Sequence, residues 1–263
     1  MEQRIDIINA MYNGQNEETR LVRSRHGQLE YLTTMHYIET YVSKPCRVLE
    51  IGAGTGRYSA ALAEQGCIVD AVELADSNFA LLSEHAKGMA NLRAYQGDAL
   101  DLSRFSDNTY DLTLLLGPMY HLYTPGDQRT ALREAVRVTK PGGVLLTAFL
   151  SVHAILYNNY LQGNLRAGLE ENFSEAYRVR HFPEQVFTGF NIDEFEALYG
   201  SLPVERIATV STDSILELAE ERSDFAMSDE EFADFAAYHL RHCERRELLG
   251  ASAHLLHICR KNR

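Results

Sequence analysis

The sequence predicts an α/β protein: a doubly wound, mostly parallel sheet with helices on both faces. Three observations carry that expectation. Strand-length apolar runs alternate with helix-length segments between residues 45 and 150, and such alternation demands crossover connections between parallel strands. Glycines at 52, 54 and 56 directly follow the first strand and directly precede a helix. Apolar residues make up 45% of the 263 and charged residues 24%, a balance that supports a packed core and excludes a disordered or fibrous chain.

The elements follow in order. Residues 1–44 are polar and read as a helical lid. Asn16 or Thr19 opens a helix that runs through Leu29, Leu32 and Tyr37 to Val42; Gly27 is its weak point, and the Lys44-Pro45 step closes it. Residues 47–51 form the first strand. The helix over 57–65 is closed by Gly66, the residue best able to adopt the left-handed C-terminal conformation. A strand over 67–73, a helix over 77–87, a strand over 91–96 and a strand over 110–116 come next. Thr124 then caps a helix with Pro125 in its first position and Asp127 in its first turn; it runs to about Thr139 and breaks at Pro141-Gly142-Gly143.

Residues 144–150 form the fifth strand. Over 151–191 the rhythm is lost, and this aromatic-rich segment reads as a helical cap over the carboxyl edge of the sheet. A short helix over 192–199 and a sixth strand over 204–210 follow. Ser228 to Glu231 is a capping box whose helix passes His239 to about Leu249, and 253–260 is a last strand. The expected division is thus a lid (1–44), a ligand-binding core (45–150), a cap (151–191) and a C-terminal completion of the core with its own helical insertion (192–263).

Composition narrows the partners. Asp and Glu number 37 against 25 Lys and Arg, a net charge of −12. Neither phosphate backbones nor anionic membranes attract such a chain, so no nucleic acid and no membrane is expected. No apolar stretch has bilayer length, and the start of the chain has no secretory-type apolar segment. The four cysteines (46, 67, 243, 259) are far apart, so reduced thiols in a cytoplasmic protein are expected. His239, His242, Cys243, His254, His257 and Cys259 have partial metal spacing. Yet only 239 with 243 share a helical face and 257 with 259 a strand face, so no metal is expected. Residues 217–234 carry eight acids against Arg222 alone and read as a solvated region.

The chemistry concentrates at the strand ends. A turn without Cβ atoms lets a ligand approach the backbone, and its N–H groups suit polar or anionic atoms. Glu73 lies 21 residues beyond Gly52 at the end of the next strand, the distance at which an acid reaches ribose hydroxyls. Asp98 closes the third strand, where an adenine would lie. Ordinary β-to-α turns with solvated acids are the alternative. The spacing is Gly-x-Gly-x-Gly, not the longer Gly-x-Gly-x-x-Gly of nicotinamide and flavin enzymes, whose third glycine would fall on Arg57.

Residues 48–56 (VLEIGAGTG), Val72-Glu73, Gly97-Asp98-Ala99, Tyr110-Asp111-Leu112, the run 116–122 (LGPMYHL) and Pro141-Gly142-Gly143 together resemble the class I S-adenosylmethionine-dependent methyltransferases. The resemblance covers residues 45–150 and implies a seven-stranded Rossmann-like sheet, with 253–260 antiparallel beside the fifth strand. It implies that Glu50, Gly52, Ala53 and Gly54 hold the methionine part of S-adenosylmethionine and that Glu73 takes the ribose hydroxyls. Leu74 would pack on adenine, Asp98 would accept from its amino group with Ala99 alongside, and Leu116 and Gly117 would lie near the sulfonium. Arg25 would meet the cofactor carboxylate, and S-adenosylhomocysteine would be the product.

Methyl transfer needs proximity and dryness more than a base. His121 is the candidate base if the acceptor arrives protonated, with a backbone-bonded loop histidine as the alternative. Tyr12, Tyr120 and His181 are candidates for the acceptor pocket, with Tyr31, Tyr157 and Tyr160 as further lid aromatics, each open to a plain packing role. The turn Leu116-Gly117-Pro118-Met119-Tyr120 lacks the polar first residue of nucleobase-amino methyltransferases, and the fourth strand ends without the acid of the metal-dependent catechol type. A small-molecule acceptor is therefore expected. A nucleic-acid or protein methyltransferase of the same fold, a non-catalytic cofactor-binding protein and a nicotinamide oxidoreductase are the rivals.

Overall fold

The computed structural model describes residues 2–13, 17–182, 185 and 187–263. Its strands are β1 (Arg47–Ile51), β2 (Ile68–Glu73), β3 (Leu92–Gln96), β4 (Tyr110–Leu115), β5 (Thr139–Ser151), β6 (Gly189–Phe190), β7 (Val204–Ser211) and β8 (His254–Lys261). The helices are α1 (Glu2–Tyr12), α2 (Arg25–Tyr41), α3 (Arg57–Glu64), α4 (Asp76–Ala86), α5 (Pro125–Val138), α6 (Val152–Tyr160), α7 (Leu165–Asn172), α8 (Ile192–Ala197), α9 (Leu216–Glu220), α10 (Asp229–His242) and α11 (Arg246–Leu249). The sheet order is β3-β2-β1-β4-β5-β8-β7, with β6 added to β5. All pairings are parallel except those of β8, which runs antiparallel to both β5 and β7. The chain reverses its winding between β1 and β4, and in such sheets ligands bind at the carboxyl ends of the strands beside that reversal.

The apolar runs of β1, β4 and β5 are continuous because both sheet faces are covered. Val48, Leu112, Leu114 and Leu146 pack into one layer, while Leu49, Ile51, Leu115 and Leu145 pack into the other. The cap at Thr124 forms as expected, its hydroxyl accepting from the Asp127 N–H at 3.0 Å. The reciprocal Ser228–Glu231 box opens α10 in the same way.

Several boundaries differ from the sequence expectation. The N-terminal segment holds two helices rather than one. Ser24, not Thr19, caps α2 by accepting from the Gly27 N–H, and Asn16 lies outside the described residues. A Cβ at Gly27 would press on the carbonyl of Arg20 and lie 3.2 Å from the Leu21 Cα, so glycine there admits the preceding turn rather than weakening the helix. The helix ends at Tyr41, with Val42 already extended, ahead of the Lys44-Pro45 step.

Pro141-Gly142-Gly143 lies inside β5: Tyr110 pairs with Thr139 and Leu112 with Val144, so the extra residues bulge out of the ladder. A Cβ at Gly143 would stand 2.9 Å from the Asp111 carbonyl, which accounts for glycine at that contact. The cap contributes the short strand β6 as well as α6 and α7. α10 stops at His242, and α11 is a separate turn.

Candidate active site

β1 ends at Ile51, and the chain passes through Gly52, Gly54 and Gly56, all with positive φ, into α3. The Gly52 and Ala53 N–H groups donate to the Val72 carbonyl at 2.9 and 3.0 Å, which pins the turn to β2. A Cβ at Gly52 would lie 2.8 Å from both the Leu116 oxygen and the Pro118 Cγ, so this turn and the loop after β4 meet back to back. The other side is open. A Cβ at Gly54 would meet only the Glu17 Cγ, and one at Gly117 only the Gly52 oxygen, each at 3.8 Å.

Three acids stand at successive strand ends. Glu73 accepts from the Gly54 and Ala75 N–H groups, both at 2.8 Å, and burial pushes its carboxyl up to about 7. Glu50 accepts from the Ser59 hydroxyl, and burial pushes its carboxyl up to about 8. Asp98 accepts from the Leu100 N–H at 3.1 Å and is ion-paired with Arg4 of α1.

These acids line one cavity of about 600 Å³, together with Gly52, Ala53, Gly54, Leu74, Ala99, Leu116 and Gly117. The cavity follows the carboxyl edge in sheet order, from Asp98 after β3, past β2, β1 and β4, to Leu150 on β5 and His254 at the start of β8. Carboxylates for hydroxyl and amino donors, beside an open backbone cradle, suit an adenosine-bearing ligand.

A family model described as a methyltransferase domain matches residues 48–143, the segment that builds this edge. Over that segment the chain is similar to methyltransferase domains. Among its relatives are demethylmenaquinone methyltransferases. That of Corynebacterium kroppenstedtii is 31% identical over 151 residues, covering 53% of this chain and 62% of that protein. That of Corynebacterium urealyticum is 36% identical over 126 residues, covering 46% and 51%. The match thus spans about half to three-fifths of these relatives' own length.

Solved structures share the fold of this chain. A Thermotoga maritima protein described as a possible histamine N-methyltransferase superposes with TM-score 0.59 at 18% identity, covering 99% of this chain and 100% of the other. A methyltransferase of Methanosarcina mazei superposes with TM-score 0.57 at 16% identity, covering 86% and 97%.

The N-terminal helices reach over the cavity. Arg4, Ile8 and Tyr12, four residues apart on one side of α1, all line it. Tyr12 Oη lies 3.1 Å from His121 Nε2, and the two rings meet edge to face. His121 is buried in the turn after β4 beside Tyr120, with its ring against Phe187.

Two candidates fall outside the cavity. Arg25 is spent on α10: its guanidinium donates to Asp229 at 2.6 Å and to the Met227 carbonyl, and it covers the Phe232 ring. Arg20 and Arg23, in the turn before α2, line the cavity instead. His181 rests on Phe190 and bonds Glu194 at 3.3 Å, behind the cap. Of the lid aromatics, Tyr31 stacks on Tyr58 and Tyr157 is 41% exposed; Tyr160 alone of the three lines the cavity.

The histidine and cysteine constellation disperses. His239 bonds the Ser211 carbonyl, His242 the Tyr238 carbonyl, Cys243 meets the Tyr37 hydroxyl and His257 bonds Thr209. The acidic segment is not wholly solvated, because Glu217 lines the cavity and Glu220 accepts from the Arg25 and His26 N–H groups.

Residues outside the expected cofactor and acceptor sets complete the far end. Arg20 holds Glu30 in a bidentate pair at 2.7 and 2.9 Å. Burial alone would raise the Glu30 carboxyl, but Arg20 outweighs it and holds the group at about 2. His254 Nδ1 lies 2.7 Å from Asp213, which also accepts from Ser252 and two backbone N–H groups. Burial opposes charge on His254, yet Glu30 and Asp213 hold its pKa up at about 9. Among the described residues, no helix is long and apolar enough to cross a membrane.

Proposed function

We propose that this protein transfers a methyl group from S-adenosylmethionine to a small-molecule acceptor held in the same cavity. One observation carries the reading most directly: the Glu73 carboxylate is fixed by the Gly54 and Ala75 N–H groups beside an open glycine cradle, with Asp98 one strand away in the same cavity. In this reading Glu73 accepts both ribose hydroxyls, and Asp98 accepts from the adenine amino group while Leu74 and Ala99 flank the ring. Glu50, Gly52, Ala53 and Gly54 contact the methionine part, and Leu116 and Gly117 border the sulfonium. Arg20 and Arg23 are the cations on the cavity wall for the carboxylate.

The cofactor supplies an already activated methyl, so the chain's own task is to hold the acceptor in line and keep water out. Tyr12, Tyr120 and His121 wall the acceptor side, and the Tyr12–His121 contact sets the orientation of the imidazole. Methyl transfer is expected to leave S-adenosylhomocysteine. The helices over the cavity and the net charge of −12 favour a metabolite over a polymer, which needs an open, basic groove. All four cysteines are free and buried, which fits a reducing cytoplasm. Incubation with methyl-labelled cofactor and a metabolite extract, read by mass spectrometry, tests the reading: a labelled small molecule is expected, and label in nucleic acid or protein alone would overturn it.

Two further results are expected. Burial raises Glu73 to about 7, and the ribose hydroxyls need the ionised form as acceptor. Cofactor affinity should therefore rise with pH through 7 and fall up to about tenfold per unit below it, when one proton must be lost before binding. Calorimetry with S-adenosylhomocysteine at pH 6, 7 and 8 checks this, and Glu73→Gln should flatten the profile. His121→Ala should lower kcat while cofactor affinity stays within about twofold, since the imidazole lies on the acceptor side; abolished cofactor binding in a folded variant would contradict that placement.

A further inference from the structure

At the far end of the cavity one carboxylate has an oxygen that no donor reaches. Glu30 is matched by Arg20, Asp213 by His254, and Glu220 by His26, whose Nδ1 it contacts. Glu217, on α9, lines the same cavity, and its Oε2 is buried with no hydrogen-bond partner. A buried carboxylate oxygen without a donor is costly, so one on a cavity wall points to a donor that arrives with the ligand.

The surroundings give that donor its character. Glu217, Asp213 and His254 each place a polar atom within 4.8 Å of the others. The His254–Asp213 pair is held rigidly by Ser252 and the β8 backbone. The Tyr120 ring stands edge-on to His254, with centroids 5.9 Å apart, and Leu150 is the β5 register partner of His254. A fixed charge beside aromatic and aliphatic walls is the setting in which a cation on a hydrophobic skeleton is recognised.

We propose that the methyl acceptor is a protonated amine whose ammonium is anchored by the Glu217 carboxylate, with His254 and Asp213 as the rigid wall behind it. The inference rests on the methyl-transfer reading for the amine's fate, and it names the substrate class of that same site. The charged groups around Glu217 are His26 and Glu30 from α2, Asp213 from the loop after β7 and His254 from β8. Burial raises the Glu217 carboxyl, which the two histidines lower and the two acids raise further, so it has a high affinity for a cation or proton. An amine must shed one proton before its nitrogen can act as a nucleophile. The N–H bond breaks, the nitrogen keeps the electron pair, and the proton passes to a Glu217 oxygen.

Calorimetry with benzylamine and phenethylamine, each against the alcohol of the same skeleton, tests this on the full chain with and without S-adenosylhomocysteine. The wild-type protein should bind the amines at least tenfold more tightly than the alcohols. Glu217→Gln should erase that preference while S-adenosylhomocysteine affinity stays within twofold. Equal binding of amine and alcohol by the wild type, or a preference surviving in Glu217→Gln, overturns the proposal. So does a preference that disappears on chelation with EDTA, which would make the cluster a metal site. Absence of a cofactor signal alone counts against the methyl-transfer reading, whereas the amine preference is scored separately.

Discussion

Replacing Gly52 with alanine is expected to have the largest single effect on the site. Two penalties act together there. The residue holds φ at 76°, which costs an L-residue roughly 1–2 kcal/mol. Its new methyl group would also press on the Pro118 ring and on the Leu116 oxygen, 2.8 Å away, and overpacking of that kind costs about 1–3 kcal/mol. The loop after β4 would have to retreat, moving Leu116 and Gly117 with it. Thermal unfolding should show clear destabilisation, and calorimetry should show loss of S-adenosylhomocysteine binding in the fraction that remains folded. Gly66→Ala is the control: its φ is 90° but nothing lies within 4 Å of the added methyl, so only the backbone cost should appear.

Glu73→Ala should weaken cofactor binding by roughly 1–3 kcal/mol, about ten- to a hundredfold in Kd, as charge-assisted hydrogen bonds to the ribose are lost. The same change frees the Gly54 and Ala75 N–H groups, so part of the loss arises from a looser turn. Glu73→Gln separates the two effects, because its amide oxygen can keep one backbone donor while the charge is gone. Unchanged affinity in a folded Glu73→Ala variant would remove Glu73 from the site.

The legible parts of the sequence were those set by local physics. Strands β1, β4 and β5 show as apolar runs because both faces of the sheet are buried there. Thr124 with Pro125, and Ser228 with Glu231, mark helix starts because their side chains cap their own helices. The glycine turn, Glu73 and Asp98 were readable because each lies at a strand end at a characteristic distance.

The rest depended on contacts between distant segments. Arg25 and Arg20 are five residues apart, and only the turn that Gly27 admits decides which of them reaches the cavity. Arg4, Ile8 and Tyr12 do form a stripe at four-residue spacing, a signal that could have marked α1 as part of the site. No local pattern joins Glu217 to His254. They meet because β8 is inserted antiparallel beside β5, which brings its first residue, His254, opposite Leu150 at the edge that lines the cavity. His181 illustrates the converse: a polar aromatic in the cap whose partners, Phe190 and Glu194, are structural.

A crystal structure grown with S-adenosylhomocysteine tests the placement of the site most directly. The expected result is ribose hydroxyls on Glu73, adenine beside Asp98 and the sulfur near Gly117. Density for the nucleoside at any other location, or none at saturating concentration, would contradict it.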